Sequence, residues 1–353
     1  MKSLMKEKSI WVLLDNEGPC TLNDNAQENT VALAKECGLG EEVGVNFYKA
    51  LSNIDDIWGD FHKIQKDPIY ASGHTVKVTL PFYKAMGATS QWLNGFTKKS
   101  IRIVPHIAEV IRSLDSKYNV WQISTSYGFF IQAFCELVGF DFKKTYCTSV
   151  EKFDEIPISK IESEMLKDFM KEVAKAPIIE YDPKTGEVIP QHQLLYLAFT
   201  TFIWEFVYNM PVGELMRTVH PVGQTQKRQA MLEIIEKFDV PKEKVMYVGD
   251  SQTDVKCVQD LKGVGLTMMF NGKGKVCDDA DIMYIGEDAI AIQVAADLFG
   301  NLGRKATIES FEIPREMCGG LLAAVTPENL EKLKEMSVKK RKEFRGVQIG
   351  ELT

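Results

Sequence analysis

Asp15 and Glu17 stand two residues apart, directly after the apolar run of residues 9–14, SIWVLL. A carboxylate not silenced by hydrogen bonds can attack phosphorus and form an aspartyl-phosphate. Two carboxyl groups this close can divide roles, one ionised and one protonated. In that reading Asp15 is the nucleophile, and Glu17 protonates the leaving alcohol and later activates water. Further along, Ser124, Thr125 and Ser126 follow a second apolar run. A hydroxyl such as that of Ser124, with the N–H groups of the following turn, can hold phosphoryl oxygens. Lys227 offers a cation to neutralise the nucleophile and the phosphoryl group. Asp15 and Asp250 offer hard oxygen ligands suited to Mg²⁺, which would offset the repulsion between carboxylate and phosphate.

These side chains need a scaffold that makes them converge. Apolar runs at residues 9–14, 119–123, 145–150, 244–248, 263–270 and 281–285 read as buried strands. Helical patterns at 105–118, 128–139 and 225–238 alternate with them. That alternation predicts an α/β fold with a doubly wound parallel sheet, whose ligands bind at the carboxyl ends of the strands. Asp15, Ser124 and Asp250 all fall at such ends, and Lys227 falls in the first turn of a helix. Singly, each has a plain structural explanation. The acids suit a turn, Ser124 suits a helix cap, and Lys227 suits a solvated helix face. Their order and strand contexts together raise the chemical reading.

The four segments resemble the motifs of the haloacid dehalogenase (HAD) superfamily of aspartate-nucleophile phosphatases. They are VLLDNEG, WQIS with TSYGFF, GQTQKRQ around Lys227, and VMYVGDSQTD. Their surroundings are most similar to the phosphoserine-phosphatase branch. The resemblance implies a Rossmann-like core with a helical cap inserted after the first strand. It implies Asp15 as nucleophile and Glu17 as acid/base, with Glu17 also offering its backbone carbonyl to Mg²⁺. Ser124, Thr125 and Lys227 would bind phosphate, Asp250 would ligate the metal, and Asp254 would hold a metal-bound water or Lys227. Two departures stand out: Glu17 replaces the usual Asp, and Pro19 follows the glycine, where it stiffens the turn and removes a donor. An acid at position 17 favours a phosphomonoester hydrolase or phosphotransferase over a dehalogenase, which needs no acid for its leaving halide.

The division implied is a core of residues 1–24, 98–150 and 222–300, a cap of 25–97, a second insertion of 151–221, and a C-terminal extension of 301–353. The cap would act as a lid favouring a small phosphorylated metabolite. Asp24 and Glu28 are candidates to read that substrate, and Asn271 could approach the phosphate. The insertion and extension are similar to those of an archaeal group of HAD-like proteins. A non-catalytic or regulatory subunit of a larger complex, or a homodimer, is the alternative they raise.

Among the 353 residues, 45 % are hydrophobic and the formal net charge is -7, an acidic balance that argues against nucleic acid as a partner. Seven scattered cysteines without CxxC spacing read as reduced cytoplasmic thiols. The N-terminal segment lacks the apolar core of a signal peptide. The apolar stretch LLYLAFTTFIWEFV of residues 194–207 is too short to span a bilayer. The basic run 339–342 reads as a solvated helix face.

Overall fold

The computed structural model describes residues 9–346. The first eight residues, part of the segment read against a signal peptide, lie outside it, as do residues 347–353. Strands β1 (Trp11–Leu14), β2 (Asn119–Tyr127), β3 (Thr145–Thr148), β4 (Val245–Gly249), β5 (Leu266–Phe270) and β6 (Ile282–Ile285) form the expected parallel set. Their order in the sheet is β3-β2-β1-β4-β5-β6. The first strand is therefore central, flanked by β2 and β4.

Side chains alternate across the sheet, as the strand period requires. Val12, Leu14, Val120, Met246 and Val248 face one apolar cluster, whereas Trp11, Leu13, Trp121, Val245 and Tyr247 face another. Helices cover both faces, the arrangement that buries a parallel sheet. With α1 (Asn25–Glu36), α2 (Glu41–Asp56) and α3 (Ser90–Ser100) lying in the insert after β1, the core helices begin at α4 (Ile107–Lys117) and α5 (Gly128–Val138). Helices α4 and α5 belong to the first cluster.

The second insert carries α6 (Lys160–Lys175) and α7 (Gln193–Thr201). Within it, a turn is closed by a single antiparallel bridge between Tyr181 and Val188. Both inserts contribute to one apolar cluster, which includes Phe47, Trp58, Phe82, Met170, Phe199 and Trp204. No helix of the described residues is long and apolar enough to cross a membrane. All seven cysteines are free thiols.

Core helices α8 (Gln224–Phe238) and α9 (Val255–Leu261) pack on the second face, and α10 (Ile290–Glu309) on the first. Beyond them lies a feature absent from the sequence reading. Strands β7 (Arg315–Met317) and β8 (Gly320–Ala324) form a hairpin, and β8 pairs antiparallel with β6. The sheet is thus parallel over six strands and closed at one edge by an antiparallel pair. Its turn has positive φ at Cys318 (52°) and Gly319 (65°), the geometry of a two-residue hairpin loop usually signalled by Asn-Gly. Cysteine at the first position hid it. The chain then forms α11 (Leu330–Arg345).

Trp58 is the test of the shared insert core. Its ring meets Tyr70, Phe199 and Trp204 at centroid distances of 5.9, 6.0 and 5.5 Å, and its Nε1 donates to Thr200 Oγ1 at 3.1 Å. Trp58→Ala should cost ~3–5 kcal/mol of stability by urea denaturation. A loss below about 1 kcal/mol would mean that the two inserts do not depend on this packing.

Candidate active site

The register of β1 sets the site. Leu14 lies opposite Gln122 of β2 and Val248 of β4, and the Asp15 N–H donates to the Val248 carbonyl at 2.9 Å. Asp15 is thereby pinned between the strands that carry Ser124 and Asp250. The chain then turns tightly, with the Cys20 and Thr21 amides both donating to the Asn16 carbonyl at 2.9 Å. Gly18, at φ 111°, passes so close to Asp250 that a Cβ would lie 2.2 Å from its Oδ2. Glycine is required there by both conformation and space. The turn's backbone hydrogen bonds come from Gly18, Cys20 and Thr21, so Pro19 removes none of them.

Below Asp15 lies Lys227, with 0 % exposure. Its Nζ is 2.6 Å from Asp15 Oδ2 and 2.8 Å from Asp254 Oδ1. Asp254 is fully committed. Its Oδ1 also accepts from the Tyr247 hydroxyl at 2.7 Å, and its Oδ2 accepts from the Asp250 and Ser251 amides at 2.9 and 3.1 Å. It holds Lys227 and the turn after β4, and has little capacity left for a ligand.

Carboxylate oxygens of Asp15, Asp250 and Asp254 lie within 4.8 Å of one another, a hard donor set that fits a divalent cation. Because Asp254 is occupied, Asp15 and Asp250 are the groups that would hold one. Burial raises Asp15 above the usual carboxylate range; Lys227 opposes this, while Asp254 and Asp250 add to it.

Glu17 stands apart from the carboxylate cluster. Its Oε1 accepts the Asn25 N–H at 2.6 Å, at the start of α1. Burial, with the nearby charge of Asp24, pushes its pKa up to about 8. That direction favours the protonated carboxyl group, the form a general acid needs.

Ser124 is buried, and its Oγ accepts from the Ser126 amide at 3.2 Å. The Thr125 hydroxyl donates to the Val222 carbonyl at 2.8 Å, tying β2 to the segment before α8. Asp15, Glu17, Ser124, Thr125 and Asp250 line one cavity of about 110 Å³. Asp24, directly before the cap, and Tyr48 of the cap also line it, joined by a 3.0 Å hydrogen bond from the tyrosine hydroxyl.

Two expected substrate residues lie elsewhere. Glu28 pairs with Arg102 at 2.8 Å and lines a separate cleft. Asn271 turns its side chain to Gly286, donating to its carbonyl at 2.7 Å and accepting from its amide at 3.0 Å. It shapes a strand-end turn instead of facing the cavity.

Arg341 and Arg345 of α11 enter the site unannounced by the sequence reading, which put 339–342 on a solvated face. Both are buried, at 4 % and 6 % exposure, and line the same cavity. Both guanidinium groups meet Asp250 Oδ2, Arg345 at 3.1 Å. Burial opposes ionisation of Asp250, but the two arginines hold it below the usual carboxylate range. Leu333, Ser337, Arg341 and Arg345 recur at four-residue spacing on one helix face, but with a single apolar residue among them that spacing does not mark the face as buried.

A parallel order β3-β2-β1-β4-β5-β6 with a helical insert directly after β1 is the doubly wound, Rossmann-like order, consistent with a HAD core that carries a cap. No protein-family model matches it, and no curated protein matches it. Among solved structures it is similar to gene product AF1437 from Archaeoglobus fulgidus, with a TM-score of 0.78 and 22 % identity over 97 % of this chain and 98 % of that one. At that identity the likeness is one of fold. A phosphoserine phosphatase in apo form matches with a TM-score of 0.45 and 15 % identity, over 81 % of this chain and 98 % of that one. A HAD family hydrolase, t0658 from Salmonella enterica subsp. enterica serovar Typhi, matches with a TM-score of 0.42 and 10 % identity, over 77 % of this chain and 66 % of that one.

The Glu17 environment has a measurable consequence. A carboxyl group whose pKa rises from 4.5 to about 8 on folding stabilises the fold below its unfolded pKa, and loses that contribution as pH rises through the folded value. Glu17→Gln mimics the protonated state at every pH. In metal-free protein, wild type should lose thermal stability relative to Glu17→Gln between about pH 5 and about pH 9. Scanning calorimetry with chelator checks this, and a gap independent of pH would contradict the assignment.

Proposed function

We propose that this chain is a Mg²⁺-dependent phosphatase or phosphotransferase that acts on a small phosphorylated metabolite through an aspartyl-phosphate at Asp15. The observation that carries this reading is Asp15 in the cavity wall, paired with a fully buried Lys227 at 2.6 Å and sharing the cavity with the Glu17 carboxyl.

Asp15 attacks phosphorus and the bond to the leaving alcohol breaks. Lys227 keeps its charge because Asp15 and Asp254 outweigh the effect of burial, and it neutralises the negative charge gathering at the nucleophile. The Ser124 hydroxyl holds a phosphoryl oxygen. Glu17 delivers its proton to the departing alkoxide and becomes a carboxylate. It then takes a proton from the water, or acceptor alcohol, that attacks the aspartyl-phosphate, which restores Asp15 and the protonated Glu17. A divalent cation held by Asp15 and Asp250 would offset the repulsion between nucleophile and phosphoryl oxygens. The insert loop places Ser72 over the core, where its carbonyl accepts the Gln224 amide at 2.9 Å, so the cap restricts access to small substrates.

A second reading, a HAD-fold subunit that binds rather than turns over, draws on the arginines that occupy Asp250. Turnover separates the two. With millimolar Mg²⁺ and p-nitrophenyl phosphate, followed by a panel of phosphorylated metabolites, Asp15→Asn should lower kcat at least about a thousandfold. Equal turnover in the two proteins would overturn the nucleophile assignment. Absence of Asp15-dependent turnover on every compound, with recovery in a large complex from native extract, would favour the subunit reading.

A further inference from the structure

Helix α11 is seated in an unusual way. Its buried positions are Leu333, Ser337, Arg341 and Arg345, and only the first is apolar. The remaining seat is polar. Ser337 Oγ donates to the Gly272 carbonyl at 2.6 Å. Arg345 Nε donates to the Leu22 carbonyl at 3.2 Å, and its Nη2 donates to the Asn23 carbonyl. Arg341 Nη1 and Arg345 Nη1 converge on Asp250 Oδ2. Outer ion pairs from Lys334 to Asp278 and from Lys340 to Glu287, at 2.5 and 3.2 Å, add little because such pairs are screened by water and salt. Leu333, with the partly buried Leu330 and Phe344, supplies the apolar contacts of the helix, and the charge on Asp250 anchors the two arginines on its buried face.

That same carboxylate is one of the two that would hold a divalent cation. Two guanidinium groups and a dication cannot crowd one carboxylate without strong mutual repulsion. The arginines also narrow the approach to Asp15. The cavity they wall measures about 110 Å³, whereas pockets for small metabolites span roughly 300–1,000 Å³.

We propose that α11 is an arginine latch in cis: Arg341 and Arg345 compete with a divalent cation for Asp250, and cation binding releases the helix and opens the pocket. This rests on the metal-dependent reading above for the presence of a cation, but not on turnover. The latched state lowers the apparent metal affinity by the fraction of molecules in which Asp250 is free.

Mn²⁺ binding, followed by electron paramagnetic resonance in the full chain without substrate, tests it. Arg341→Met/Arg345→Met should bind Mn²⁺ about tenfold tighter or more than wild type. Equal or weaker binding by a folded double variant overturns the latch. Wild-type protein gives a second measurement that needs no variant. Saturating Mn²⁺ should speed amide hydrogen exchange across residues 330–345, and unchanged or slower exchange overturns the latch. Failure of Mn²⁺ to bind either protein overturns the latch and the metal-dependent reading together. A latch that passes both measurements, in a protein without Asp15-dependent turnover, leaves the latch standing and removes the enzymatic reading alone.

Discussion

A lysine ammonium buried between two aspartates is the interaction on which the rest of this structure depends. Lys227 has no exposed surface, and its two partners are themselves buried. Such a group persists only if its charge is matched and its donors are satisfied, since breaking a buried pair leaves an uncompensated charge at a cost of ~3–5 kcal/mol. The surrounding chain supplies that match. Strand β4 delivers Asp254 through a turn whose amides bond back to it, and Tyr247 from within the strand adds a hydroxyl. Strand β1 delivers Asp15, and α8 delivers Lys227 from its first turn. Three elements distant in sequence are thus held in register by one ion.

Charge balance extends outward from this centre. Lys227 serves Asp15 and Asp254, which leaves Asp250 to be matched from elsewhere. In the structure the match comes from α11, at the far end of the chain. Its long excursion through β7 and β8 follows from that requirement. The hairpin extends the sheet beyond β6, and Asn329 bonds back to the end of β8, its Nδ2 donating to the Ala324 carbonyl at 2.9 Å. The helix that follows points its arginines under the turn at Gly18. The absence of a Cβ at Gly18 is what leaves room for the Asp250 carboxylate that receives them.

The sheet core was readable in the sequence because buried parallel strands are continuous apolar runs ended by polar residues. WVLL before Asp15 and VMYVG before Asp250 are of this kind, and both begin and end close to where they were expected. Asp15, Glu17, Ser124, Thr125 and Asp250 were readable for the same reason: strand ends are fixed by the apolar pattern, and the polar residue at each end must face the same edge of the sheet. Lys227 followed from its place in the first turn of α8. The arginines were not readable. A helix with Leu, Ser, Arg and Arg on its buried face has no apolar stripe, and a run of basic residues is ordinarily solvated. Asn271 and Glu28 failed in the opposite direction. Each has the right chemistry near the right strand, but a local partner, Gly286 or Arg102, satisfies it first.

The inserts constrain how anything reaches Asp15. They share one apolar cluster, with Trp58, Phe82 and Leu51 from the first packed with Met170, Phe199 and Trp204 from the second. Separating them would expose that surface to water, at about 25 cal/mol for each Å². Their contacts with the core around the site are of another kind. Asp60 accepts from Gln252 at 2.5 Å, Gln224 donates to the Ser72 carbonyl at 2.9 Å, and His74 lies 3.0 Å from Gln226. Water can replace such hydrogen bonds at small net cost, but it cannot replace buried apolar packing. Tyr127 of β2 belongs to the same cluster, its hydroxyl 2.7 Å from the Val76 carbonyl and 2.7 Å from Thr79 Oγ1, so an opening that leaves the cluster intact pivots the two inserts about Tyr127 and breaks the polar seam at residues 60, 72 and 74. Two barriers of different physical character then stand around the same carboxylates: a polar seam beneath the cap, and a charge-held helix against Asp250.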